Sequence, residues 1–142
     1  PLVVEGSGVA VTVYSHDGTQ KEFYSLAAFW RSEIDEHVVF IYSGGGVSPY
    51  QEREQWTDGC DLVALKPGVA LAYERHPKKE QTLIAHGYNI LPANQFLEQI
   101  EEGTLSARDV ENTIITLPSS ELSRARGGSH CMTCPMHRSN IN

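Results

Sequence analysis

The sequence predicts a mixed α/β fold built from strand–strand–helix–strand units. Three observations lead there. Short apolar runs alternate with amphipathic segments, the order strand, strand, helix, strand occurs twice at a spacing of roughly 50 residues, and no low-complexity linker separates the two occurrences. A unit that recurs in this way suggests tandem or radial assembly of modules.

The elements follow in order. Val9, Val11 and Val13 alternate with other residues, the period of a half-buried strand, and His16-Asp17-Gly18 supplies a turn. Lys21 to Tyr24 then reads as the returning strand. Ser25 is placed to cap a helix through Leu26, Ala27, Phe29 and Trp30, whose spacing gathers the apolar side chains on one face. His37 to Tyr42 (HVVFIY) is a continuous apolar run suited to a strand covered on both sides.

In the second half, Leu62 to Leu65 and Val69 to Tyr73 flank the turn-forming Lys66-Pro67-Gly68, which predicts a hairpin. Pro77 suits the first turn of a helix running through Leu83, Ile84 and Ala85, and Gly87 suits its end. The strand that completes the unit is either Tyr88 to Leu91 or, with the intervening segment as an insertion, Ile114 to Leu117. Between them, Pro92 to Gly103 reads as a short amphipathic helix.

Length and composition bound the function. The chain has 142 residues, enough for one ordinary domain with a real core, and its 40% hydrophobic and 20% charged residues are those of a globular protein. A formal charge of −7 disfavours nucleic acid as a partner, because backbone binding needs a basic surface. No apolar run approaches the roughly 18 residues of a membrane span. Three cysteines, an odd number, fit a reducing compartment better than a disulfide framework, so a cytoplasmic location is expected.

The chemistry gathers near the C-terminus, in RARGGSHCMTCPMHR, Arg124 to Arg138. Three readings compete. His130, Cys131, Cys134 and His137 are of metal-ligand type, but His130 and Cys131 are adjacent and would have to turn onto one ion together, while Cys60, His76 and His86 stand alone in sequence. Cys131-Met-Thr-Cys134 has the spacing of a redox pair, but a glycine loop precedes it and Pro135 follows, leaving little room for the helix such a motif opens. The third reading is a cysteine nucleophile. Gly127-Gly128 lets backbone approach a ligand, Arg124 and Arg126 offer forks for a carboxylate, and nearby positive charge favours a Cys131 thiolate.

Two stretches carry a resemblance. Glu121 to Pro135 (ELSRARGGSHCMTCP) closely resembles the C-terminal motif of arginine deiminases, E-L-G-R-G-R-G-G, two residues, then C-M. Arg53 to Gly59 (REQWTDG), followed by LVALKPGVALAYER, resembles that family's R-E-Q-W-D-D-G and L-A-x-x-P-G-V-V-x-A-Y-x-R. The resemblance implies a pentein-type α/β propeller of ββαβ modules, of which this chain would supply about two, approximately 1–50 and 51–142, with a helical insertion near 92–112. It implies Cys131 as the nucleophile and Arg126 as a loop arginine closing near the substrate. Arg124, Gly127, Gly128 and His130 complete the expected substrate-binding loop, His130 at a position that varies in the family. Cys134 falls where the family has cysteine or methionine, and His137 has no family role. Ser123 and Ala125 replace family glycines, and Cys60-Asp61 replaces an asparagine-rich pair.

The implied reaction hydrolyses L-arginine to L-citrulline and ammonia through a covalent thiouronium, without metal or cofactor. It also needs a histidine, held in the family in a His-Leu-Asp motif, and carboxylates for the guanidinium. No His-x-Asp occurs among these residues. The chain is therefore expected to be a C-terminal portion that lacks upstream modules, is inactive alone, and self-associates through surfaces meant for them. The alternatives are a non-catalytic domain that binds an amino acid or a protein, or a Cys/His metal or redox module.

Overall fold

The computed structural model describes residues 10–118, 121–122 and 127–137. They fall into two compact units, Pro1–Tyr42 and Ser43–Asn142.

In the first unit, β1 (Val11–Tyr14) pairs antiparallel with β2 (Gln20–Phe23), Val11 opposite Phe23. The predicted turn closes this hairpin, with Ser15 N–H donating to the Thr19 carbonyl at 3.0 Å. Helix α1 (Leu26–Glu33) starts where expected: the Ser25 hydroxyl accepts from the Ala28 N–H at 3.1 Å. The strand expected at His37 to Tyr42 does not form. A strand needs a neighbour for its backbone groups, and β1 and β2 pair with each other alone among the described residues. The segment's apolar side chains find other partners: Val38, Phe40 and Tyr42 pack with Ala27 and Trp30 of α1.

The second unit holds a four-stranded sheet in the order β3-β4-β6-β5. β3 (Val63–Lys66) and β4 (Val69–Tyr73) form the expected antiparallel hairpin, and α3 (Pro77–Ala85) follows with Pro77 in its first turn. Both candidate closing strands exist. β5 (Asn89–Pro92) and β6 (Thr113–Leu117) lie side by side, and β6 sits between β4 and β5, parallel to both. Thr113, Ile114, Ile115 and Thr116 are all buried, as befits a central strand covered on both faces. Helix α4 (Ala93–Glu101) lies between β5 and β6 in sequence, and its Phe96 packs with Leu71, Val110 and Ile115. A helix absent from the sequence reading, α2 (Tyr50–Trp56), precedes the sheet. Among the described residues no helix is long and apolar enough to cross a membrane.

Candidate functional site

The stretch Arg53 to Gly59 runs off the end of α2, and one buried carboxylate organises it. Glu54 is 3% exposed and accepts from three backbone N–H groups: Gly44 and Lys79 on one oxygen, both at 3.0 Å, and Lys78 on the other at 2.8 Å. Two of those donors open α3, where N–H groups lack intrahelical partners, so an anion there caps the helix and ties α2 to it. Thr57 continues the link: its carbonyl lies 2.8 Å, and its hydroxyl 3.1 Å, from Nε2 of the fully buried His76. Burial, seconded by the nearby Lys79 ammonium, pushes the imidazole pKa down, which keeps this histidine neutral.

The next two residues reach the cysteine loop. Asp58, held at a φ of 61°, accepts from the Gly127 N–H at 3.0 Å. From the other side the buried Tyr73, the last residue of β4, accepts at its hydroxyl from the Ser129 N–H at 2.7 Å. The loop passes so close that a Cβ on Gly128 would overlap the Tyr73 hydroxyl, so any side chain here must displace that buried ring. Gly59 is constrained in the same way, its virtual Cβ 2.6 Å from the Glu54 carbonyl and 2.9 Å from Ser43 Oγ. Beyond the clamp the chain folds over itself, with Met132 N–H donating to the Gly128 carbonyl at 2.9 Å and Thr133 N–H to the His130 carbonyl at 3.2 Å. Cys131 sits exposed on that turn.

Of the residues expected at the site, Gly127, Gly128, His130 and Cys131 are brought together here; Arg124 and Arg126 lie outside the described residues. Cys134 is a free, exposed thiol, and no helix follows Cys131 among the described residues, so the helix a redox pair would open is missing. Adjacent His130 and Cys131 do turn the same way, against the expectation from their spacing. His130 Nδ1, Cys131 Sγ and a carboxylate oxygen of Asp61 all lie within 4.8 Å of one another, His130 Nδ1 being 3.9 Å from Asp61 Oδ1.

Four residues here were given no role by the sequence: Glu54 and Asp58, which lie inside the quoted motif, Asp61, noted only as a departure from the family, and Lys79. Lys79 is buried at 1% exposure, and its ammonium finds no hydrogen-bond partner among the described residues. Desolvation brings its pKa down to about 8, against the attraction of Cys60, Glu54 and Asp61. Burial also pushes up the thiol of half-buried Cys60 and the carboxyl of Asp61, opposed at Asp61 by His130. A shallow hollow of about 360 Å³ in this unit is lined by Gly45, Val47, Tyr50, Lys78 and Thr82 among others, and by none of the described residues of the cysteine loop.

Fold and site together define a mixed α/β protein that presents an exposed cysteine on a glycine loop, clamped from beneath by an aspartate and a tyrosine. The comparisons with known proteins place it more narrowly. The family model for arginine deiminase matches residues 16–138, and the chain belongs to the arginine deiminase family. It is 33% identical over 127 residues to an arginine deiminase of Mycoplasma capricolum subsp. capricolum, covering 89% of this chain and 26% of that protein. To an arginine deiminase of Latilactobacillus sakei subsp. sakei it is 32% identical over 109 residues, covering 77% of this chain and 20% of that protein. The matched region thus spans about a quarter of these relatives' length or less. No solved structure matches.

Proposed function

We propose that this chain is the nucleophile-bearing, C-terminal portion of an arginine deiminase, about two modules of a pentein-type propeller, and that Cys131 is its nucleophile. One observation supports the reading above others: the two stretches that resemble the family, far apart in sequence, meet at the cysteine loop through Asp58 and Gly127, and through Tyr73 and Ser129. Side chains that only stabilised a hairpin would have no reason to hold the backbone at two points just ahead of an exposed thiol.

In this reading the Cys131 thiolate attacks the guanidinium carbon of L-arginine. The tetrahedral adduct expels ammonia, which takes a proton from a general acid, and leaves a thiouronium on the sulfur. Water activated by the same group as base then adds, the carbon–sulfur bond breaks, and L-citrulline leaves as the thiolate is regenerated. Gly127 and Gly128 let the loop backbone approach the ligand, Arg124 and Arg126 offer forks for the substrate carboxylate, and His130 borders it. The general acid and the carboxylates that grip the guanidinium belong to modules supplied by the rest of the parent protein, so this chain alone is inactive. Three free cysteines, two of them exposed, support a reducing compartment such as the cytoplasm.

Citrulline release from L-arginine tests the proposal. The chain alone is expected to release none, and the chain joined to its upstream modules to release citrulline that Cys131→Ala abolishes. Turnover by the isolated chain would overturn the division of labour, and turnover by the joined Cys131→Ala protein would overturn the nucleophile.

A further inference from the structure

The loop that carries Cys131 also brings two donor atoms, from His130 and Cys131, beside the carboxylate of Asp61. We propose that Asp61, His130 and Cys131 form a binding site for a thiophilic divalent cation of the zinc class, and that occupancy blocks the thiol.

The geometry carries this. The imidazole nitrogen, the sulfur and the carboxylate oxygen lie within 4.8 Å of one another. Zinc bonds of about 2.0–2.3 Å put tetrahedral ligand atoms about 3.3–3.7 Å apart, so the three must close by about an ångström. They can do so cheaply. The His130 side chain is 66% exposed and Cys131 is exposed, so both can rotate, while Asp61, at 16% exposure, provides the fixed corner. Backbone clamping of Gly127 and Ser129 holds the turn that faces both side chains toward that corner.

The chemistry agrees. A mixed nitrogen, sulfur and oxygen set suits a borderline-soft ion, and one carboxylate with one thiolate neutralises a divalent charge. Asp61 Oδ2 is buried and has no hydrogen-bond partner among the described residues. A buried carboxylate with an oxygen left in that state is costly, and a cation bound at the same carboxylate, whose Oδ1 faces His130, lessens the cost. Three protein ligands leave at least one coordination position open, which is the pattern of sites that exchange water or small ligands. Cys134 takes no part, so this is not a C-x-x-C half-site.

Blocking of catalysis rests on the proposed role of Cys131, but binding does not, and the two are read separately. Cobalt(II) serves as the probe, because coordination by a thiolate produces an intense charge-transfer absorption. Titration of the 142-residue chain is expected to give that absorption with one ion per chain, to lose it on addition of equimolar zinc, and to lose it in Cys131→Ala. Affinity is expected to fall at least tenfold in Asp61→Asn and in His130→Ala, with circular dichroism confirming the fold, and to stay unchanged in Cys134→Ala and Cys60→Ser. Zinc should also slow alkylation of Cys131 by iodoacetamide. Absence of the absorption in folded wild-type chain would overturn the site. So would an undiminished affinity in both Asp61→Asn and His130→Ala, or loss of the absorption in Cys134→Ala, which would put the ion on the two cysteines instead. Citrulline assays are untouched by either result, so failure of the metal site and failure of the deiminase reading remain distinguishable.

Discussion

The two sides of the cysteine loop are built on opposite principles. Beneath it lies a buried polar scaffold: Glu54 satisfying three N–H groups, His76 held by Thr57, and Tyr73 at 1% exposure supporting the Ser129 backbone. Above it, Cys131 and His130 stand exposed on a short turn. Buried polar groups are expensive unless each is satisfied, so the scaffold fixes one backbone path. The tip, with few contacts of its own, inherits its position from below. The position of the exposed thiol therefore depends on the buried residues beneath it.

That contrast can be broken from either side, and the largest effect belongs to the tip. Cys131→Ala in the joined protein should remove citrulline release altogether while leaving the thermal transition within a few degrees of wild type, because an exposed side chain contributes little to packing.

The scaffold should behave in reverse. Glu54→Ala strands three N–H donors beside a helix start, and each unsatisfied buried group costs about 1–3 kcal/mol. A loss of at least 3 kcal/mol is expected in urea unfolding, and Glu54→Gln, which keeps one oxygen acceptor, should lose less. Gly128→Ala places a methyl on the Tyr73 hydroxyl, and overpacking of this kind costs about 1–3 kcal/mol. It should alter the rate at which iodoacetamide labels Cys131, the signature of a displaced loop.

Lys79 provides the finest distinction, since its buried ammonium finds no hydrogen-bond partner among the described residues. Its pKa falls from 10.5 to about 8 on folding, chiefly by desolvation, which corresponds to a cost of about 3 kcal/mol while the amine is charged. A folded pKa below the unfolded one means that unfolding takes up a proton between about pH 8 and 10.5, so this group's contribution to stability rises with pH across that window and is least favourable below it. Lys79→Met should therefore be more stable than wild type at pH 7, and should lose that rise when Tm is followed from pH 7.5 to 10. A variant less stable at pH 7 would mean that attraction to the carboxylates of Glu54, Glu80 and Asp61 outweighs desolvation.

Much of the fold was legible because its signals are local. The hairpin turns, the Ser25 cap and Pro77 at a helix start each depend on a few neighbouring residues, and each appears where the sequence puts it. What failed depended on partners. His37 to Tyr42 has a strand's composition but no ladder to join, and the choice between Tyr88 to Leu91 and Ile114 to Leu117 was no choice, since a parallel sheet accommodates both. Helix α2 was hidden beneath a motif read for its identity rather than its periodicity.

The site divides along the same line. Gly127, Gly128, His130 and Cys131 are contiguous and could be picked out together. Glu54 and Lys79 are separated by 25 positions, and Asp58 meets Gly127 across 69, so no local pattern links them. The substitution of Cys60-Asp61 for the family's asparagine-rich pair was the one visible sign that something charged had entered this region. Its consequence, a carboxylate beside His130, required the fold.

The most direct test of the central claim is to quench the joined protein with acid during turnover of L-arginine and map covalent adducts by peptide mass spectrometry. The account predicts a thiouronium on the peptide carrying Cys131, on that cysteine and not on Cys134. Turnover accompanied by an adduct on Cys134 or Cys60 alone would contradict it.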